Sequence, residues 1–467
     1  MRKWLPLAAV CAGTFMLLVD VTIVTVALPE MAGGLDASLS DLQWVLSAYA
    51  LVLAALVLTS GSIADRVGRR AVYLGGLVGF GLASLACGVS ANVGMLIAAR
   101  GVQGLAAAAM FATTLALIST SYEGRDRGLA FGVWAAVNGA AAAVGPMLGG
   151  LLTDCLGWRW IFLVNLPVCI AAIVLTVLVV GESRDPHPRR IDLLGMASFT
   201  IAAGTFSYAL IRGSWGSGVT LGLFGVAALA LVVFVVAESR RSDPMLDLSL
   251  LRGGSFATVL FTAAMLPAAA WAFLAYQTLW LQSVLGLSPI EAGLVWLPAS
   301  VTTFIVSILV GRVMDQASPR LLIGTGMLMI AAGAFAETAV SAGSEWTVAV
   351  PGLLLVGVGA GLVLGPLSAA AMAAVPGPRA GMAAGAVNTF RQLGFALGIA
   401  VLGAVFRGAL DDTAGRSLRQ TYADALDQTF MVAAGFGLAA AIAVFVFVRP
   451  NRPATASEPE PALADAR

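Results

Sequence analysis

Apolar runs of roughly 20 residues, the length a helix needs to cross the hydrocarbon core of a bilayer, repeat along this chain almost without interruption. Few folds accept such a pattern. A backbone in hydrocarbon must satisfy its own hydrogen bonds, so each run reads as a membrane-spanning α-helix. Only 11% of the 467 residues are charged, against about a quarter in soluble domains. No stretch is long and polar enough to fold as a separate soluble domain. The runs predict fourteen helices, at 5–28, 43–63, 71–91, 94–118, 129–152, 161–181, 193–212, 219–237, 256–281, 291–311, 320–342, 348–374, 382–405 and 428–448. The first run follows Arg2 and Lys3 but is too long for a signal peptide. It ends at Leu28-Pro29-Glu30 without a small-residue cleavage site, and is expected to remain as the first helix.

Basic residues orient the bundle. Nineteen of the 26 fall in loops on the side of the N-terminus and five on the other, with Arg100 and Arg391 inside helices. The excess side is expected to be cytoplasmic, which places both termini there. A repeat is also visible. GSIADRVGRR at 61–70 and GRVMDQASPR at 311–320 match at Gly61/Gly311, Asp65/Asp315 and Arg70/Arg320, at a constant offset of 250. Parallel duplication of six-helix halves is a transporter signature. The expected division is an N-terminal half at 1–181, two central helices with flanking cytoplasmic loops at 182–253, a C-terminal half at 254–448, and a Pro-, Ala- and Glu-rich disordered tail at 449–467. Within 406–427, Leu418, Tyr422 and Leu426 recur every fourth residue and predict a short amphipathic helix.

Composition removes several kinds of chemistry. The single histidine, His187, lies in a polar loop, and the four cysteines read as small packing residues, so no metal site is expected. Lys3 is the only lysine. A GxxxxGK[ST] phosphate loop needs one, so no ATP site of that kind is expected, and any pumping would draw on an ion gradient or a separate subunit.

Asp20 is the anomaly within the first run. A carboxylate at that depth costs several kcal/mol on insertion scales. It reads either as a hydrogen-bonding anchor to a neighbouring helix or as a proton- or cation-binding group in a transport pathway. Arg100, in the fourth run, lies at about the same depth, roughly 9–12 Å from the outer face at 1.5 Å per residue. An Asp20–Arg100 ion pair is possible where the two helices touch, either as a permanent bridge or as a group whose protonation changes with conformation. Gly145-Pro146 and Gly149-Gly150 suit a bend in helix 5 or close helix packing, with Gly361–Pro366 in helix 12 a looser counterpart. Asp65 among Arg66, Arg69 and Arg70, with Gly68, suits a cytoplasmic latch onto a helix N-terminus or an arginine of the other half.

Phe273, Gln277 and Trp280 share one face of helix 9, with Tyr276 adjacent. They could form a surface for bulky amphipathic compounds, cations included, or could simply pack. Asn138, Asn165 and Asn388 suit helix–helix hydrogen bonding, and Glu337 is either a second titrating group or interfacial.

These stretches resemble the major facilitator superfamily. GSIADRVGRR (61–70) is similar to its signature loop between helices 2 and 3. LIAARGVQGLAAAA (96–109) resembles its proton-coupling motif of helix 4, with Arg100, Gln103 and Gly104 in place. VGPMLGG (144–150) resembles its helix-5 antiporter motif, although Ala141 stands where glycine is frequent. LVDVTIVTVALP (18–29) and WRWIFLVNLP (158–167) are similar to patterns of the fourteen-helix drug:proton antiporter branch. The resemblance implies an all-α integral membrane fold with two six-helix halves plus two extra central helices. It also implies a monomeric, proton-coupled exporter of amphipathic drugs or antibiotics in a bacterial cytoplasmic membrane. Protons, a small-molecule substrate and lipid are the expected partners, and no cofactor, nucleic acid or ATP is expected. A dedicated metabolite exporter or a symporter would share the fold. A membrane-embedded enzyme or sensor is disfavoured by the missing Cys/His cluster and output domain.

Overall fold

The computed structural model of the chain describes residues 2–184, 192–212, 217–241, 244, 248–314, 317–375, 380–411 and 417–448. Linker residues 185–191, Asp315 and the tail 449–467 lie outside them. Regular structure among the described residues is helical throughout. We number the long helices α1 Leu5–Leu35, α2 Leu39–Val67, α3 Arg69–Gly88, α4 Val93–Ser121, α5 Gly124–Leu156 and α6 Trp160–Val179. They continue with α7 Leu193–Arg212, α8 Gly218–Arg240, α9 Ser255–Val284, α10 Pro289–Val313, α11 Pro319–Ala339, α12 Trp346–Ala373, α13 Ala380–Asp411 and α14 Leu418–Phe447. Among the described residues thirteen of these are long and apolar enough to cross a membrane. The remaining one, α5, spans 33 residues.

Successive helices run antiparallel, so Leu5 and Phe447 share one end of the bundle, called here the near end. Several helices that start at the opposite, far end are capped by side chains. Ser38, Ser288 and Ser417 form capping boxes on α2, α10 and α14, and Asn92 and Ser217 cap α4 and α8. These side chains satisfy amide donors that have no intrahelical partner where the backbone leaves the membrane.

The first and last six helices pack in one pattern. α1 lies on α5 and α6, α2 on α4, and α3 on α4 and α6; α9 lies on α13 and α14, α10 on α12, and α11 on α12 and α14. The two sets meet along α2–α13 and α5–α10, while α7 and α8 pair with each other and α7 rests on α2 and α13. This is the expected fold of two six-helix halves with two extra helices.

Two local expectations change. Residues Leu418, Tyr422 and Leu426 do not form a separate amphipathic helix; they are the first turns of the continuous α14, and α13 runs on to Asp411. Capping by Ser417 lets α14 begin there directly. Helix α9 is interrupted, because the Pro267 carbonyl receives the amides of both Trp271 (3.1 Å) and Ala272 (3.0 Å) and the next turn opens. Its last turn, Trp280–Val284, is a π-helix.

Candidate coupling site and central cavity

Asp20 sits midway along α1, fully buried, and α1 packs on α4 and α6 such that its carboxylate enters the bundle of the first six helices. Arg100, 1% exposed, donates from Nη1 to Asp20 Oδ2 at 2.5 Å. The other carboxylate oxygen, Oδ1, accepts from Gln103 Nε2 at 2.9 Å and Asn165 Nδ2 at 3.2 Å. Ser84 on α3 receives both of those amides, at 2.9 and 3.3 Å. Arg100 donates further to the Val45 carbonyl (3.1 Å) and Gln103 Oε1 (2.6 Å), and its guanidinium lies 4.4 Å from the Tyr49 ring centroid. A desolvated ion pair is tolerable only with this kind of saturation by hydrogen bonds. Five helices contribute to it.

Of the residues singled out in sequence, Asp20, Arg100, Gln103 and Asn165 come together here. Gly104 sets the approach, since a Cβ there would stand 2.5 Å from the Tyr49 carbonyl on α2. Ser84, Tyr49 and Phe162 were not foreseen. Phe162, whose ring centroid is 5.8 Å from the Arg100 guanidinium, lies with Asn165 in the stretch 158–167 that the family pattern had already marked. The side chain of Asn138 lies outside the described residues.

The helix-5 glycines mediate contacts between helices. A Cβ on Gly145 would overlap the Thr22 hydroxyl on α1, and one on Gly149 would lie 2.7 Å from the Ile23 carbonyl. Gly150 and Pro146 instead face α10: a Cβ on Gly150 would stand 2.5 Å from the Pro289 carbonyl, and one on Gly293 2.5 Å from the Pro146 carbonyl. The positional counterpart in the second half is in α13, not at Gly361–Pro366 in α12. Gly394 and Gly398 lie against the backbone of α9 at Ala264 and Ala268, while Gly361 faces α10 at Thr303 and Val306.

The 61–70 segment is built differently from a latch centred on Asp65. Asp65 accepts from its own neighbour Arg69, at 3.0 Å from Nε and 2.8 Å from Nη2. The acid that holds a helix N-terminus is Glu182, whose carboxylate accepts the amides of Arg70 (3.0 Å) and Ala71 (3.1 Å) at the start of α3. Gly68 adopts φ +128° at the junction, and a Cβ there would press on that carboxylate at 2.7 Å. Arg70 also donates to the Val177 carbonyl at 2.7 Å. Gly61 lies beside Ala112 of α4, and Arg66 has a partner of its own.

A central cavity of ≈ 1070 Å³, open solvent included, lies between the halves. Helix α1 lines it with Leu18, Val21, Thr22 and Thr25, the side opposite Asp20; Pro146, Trp271, Trp296, Arg391 and Phe395 add to the wall. The aromatic face of α9, read in sequence either as a substrate surface or as packing, is not part of it. Phe273, Tyr276, Gln277 and Trp280 are each at most 1% exposed and turn into the second half or its seam. Phe273 packs edge-on against Phe430, Gln277 donates to Glu337 Oε2 at 2.7 Å, and Tyr276 donates to the Ile399 carbonyl at 2.5 Å. Their neighbours Pro267, Ala270, Trp271 and Leu274 face the cavity instead. Glu337, also fully buried, is at the 250 offset from Cys87.

The described side-chain hydrogen bonds across the two halves gather toward the far end. Gln43 donates to the Tyr276 hydroxyl at 3.2 Å, Gln282 to the Val26 carbonyl at 2.8 Å, and Arg407 to the Ser40 hydroxyl.

Residues 10–399 match the family model described as Major Facilitator Superfamily. The chain is 39% identical over 428 residues to the multidrug resistance protein Stp of Mycobacterium tuberculosis, covering 90% of this chain and 79% of the relative. It is 36% identical over 419 residues to the puromycin resistance protein pur8 of Streptomyces alboniger, with 87% and 82% covered. Among solved structures, a D-xylose–proton symporter shares the fold at a TM-score of 0.69 and 13% identity, covering 96% of this chain and 99% of the other.

Proposed function

The chain belongs to the Major Facilitator Superfamily, and on that footing we propose that it is a proton-coupled antiporter exporting amphipathic drugs or antibiotics by alternating access. The observation that carries this reading is the buried Asp20–Arg100 pair with its Gln103–Asn165–Ser84 surround. The relatives named for multidrug and puromycin resistance support export as the direction. The motifs of α1 and α6 support placement in the fourteen-helix branch. The arginine asymmetry supports a cytoplasmic near end, which makes the far end the outer one.

Helix α1 links the two events. One side holds Asp20 against α4 and α6, and the other lines the cavity. Protonation turns an acceptor-only carboxylate into a neutral group that carries a donor. Asp20 then no longer holds Arg100 by charge, and α1 is free to move relative to α4. A change on one side of α1 reaches the cavity wall through Thr22, which sits on Gly145 of α5. The halves 1–181 and 254–448 would rock about the central cavity in opposite senses on the two steps: the protonated form carries its proton from the far end to the near end, and the deprotonated, substrate-loaded form opens the far end as its inter-half contacts part. A membrane potential of 100 mV is worth about 2.3 kcal/mol per charge moved, a concentration ratio of roughly 50. One proton per cycle would suffice for useful export.

The test is dye export by purified protein in sealed vesicles with an imposed pH gradient. Uptake or release that follows the gradient is expected; a rate indifferent to it would overturn proton coupling.

A further inference from the structure

The hydrogen-bonding character of the cavity is one-sided. Arg391 on α13 is its only ionisable lining residue among the described residues, and no carboxylate or carbonyl there pairs with it. An arginine stays charged in any protein environment, and a guanidinium at this depth is costly unless something answers it. A second donor stands in the same wall. Trp296 is 1% exposed, yet its indole Nε1 has no acceptor.

The threonines add no donors to the wall, because their protons are already committed to backbone carbonyls, and their oxygens offer only neutral acceptors. Thr22 donates to the Val19 carbonyl at 3.1 Å, Thr25 to the Thr22 carbonyl at 2.6 Å, and Thr303 to the Ala299 carbonyl at 2.8 Å. What remains free among the donors is a cation and an indole N–H, with Gln392 and Ser300 able to act either way. Around them the wall is apolar: Leu18, Trp271, Leu274 and Phe395.

We infer that this cavity is a binding site for amphipathic organic anions, with Arg391 anchoring a carboxylate or phenolate and Trp271, Trp296 and Phe395 holding the aromatic body. A guanidinium presents paired N–H groups that match a carboxylate in two parallel bonds. An amphipathic cation would meet the same charge with no carboxylate in the wall to offset it. The inference rests on reading this cavity as the transport site, and it names the chemical class that the site takes.

The test is binding without transport. Purified protein in lipid nanodiscs is titrated, against protein-free nanodiscs, with pyrenebutyrate, its methyl ester, and pyrenebutyl-trimethylammonium, which share one ring system. Pyrenebutyrate should bind at least tenfold more tightly than either of the others. Arg391→Gln should lower its affinity about tenfold and level the series, whereas Arg391→Lys, which keeps the charge but not the paired N–H geometry, should lose less than Arg391→Gln and still favour the anion. Equal binding of the cation by the wild-type protein would overturn the inference, and so would an unchanged ranking in Arg391→Gln. If Arg391→Gln does not fold, the wild-type ranking and Arg391→Lys still decide. No gradient enters the measurement, so failure of proton coupling and failure of anion selection are read separately.

Discussion

Asparagine at position 20 would keep the shape of the α1 side chain and remove its charge. Arg100 would still hold the Val45 carbonyl, Gln103 Oε1 and the face of Tyr49, so Asp20→Asn should fold, insert and lose gradient-driven export altogether. Full coupled export by that variant would refute the assignment of Asp20. The reverse change is harsher. Arg100→Ala leaves a buried carboxylate without its cation, a loss of about 3–5 kcal/mol, and the double variant Asp20→Asn/Arg100→Ala should recover much of it; thermal unfolding of the three proteins in detergent measures this. The pair was legible in sequence because a lone charge in an apolar run demands a partner at equal depth. Ser84 and Tyr49 were not, since their part depends on how three helices are rotated about their axes. The same uncertainty left Phe273, Gln277 and Trp280 open between packing and substrate contact: spacing put them on one face but could not say which side of the helix meets the cavity.

At the scale of helices, the close approaches separate into two kinds. A methyl group at Gly394 would collide with backbone of α9 at Ala264, while one at Gly145 would collide first with the side chain of Thr22. A side chain can shift where a backbone carbonyl cannot. Gly394→Ala should therefore lower the unfolding temperature more than Gly145→Ala, within the about 1–3 kcal/mol typical of overpacking; the opposite order would mean that α9 yields and α1 does not. At the α2–α3 junction, Glu182→Ala removes the acceptor for two amides of the first turn of α3. A loss of about 0.5–2 kcal/mol is expected, comparable to a lost helix cap, and faster amide hydrogen exchange at Arg70 and Ala71 would report it. Helix count and order were readable from the apolar runs. The role of Glu182 was not, because it comes from a distant segment, and neither was the start of α14, where a polar cap sits on a helix that continues into the membrane.

The whole molecule is closed toward its far end by Gln43–Tyr276, Gln282–Val26 and Arg407–Ser40. Replacing Gln43 and Gln282 together by alanine removes two of these bonds and should raise the population open at that end. In a Cys155→Ser background, a cysteine at cavity position Ser300 should then react several-fold faster with an impermeant maleimide added from the far side; an unchanged rate would locate the closure elsewhere. The 250-residue offset pointed to two like sets of six helices, which do pack in one pattern, yet it did not reveal which surfaces meet, because that is decided by packing between halves. One consequence follows from α1 having the carboxylate on one side and the cavity on the other. Two ligands that bias a single element are bound by reciprocity: a compound lodged beside Thr22 must change the hold of Asp20 on its proton by the same factor by which that proton changes the hold on the compound. Affinity measured at two pH values, with no gradient and no turnover, is then itself a measure of the coupling, and for an exchanger it should tighten as the solution becomes more alkaline.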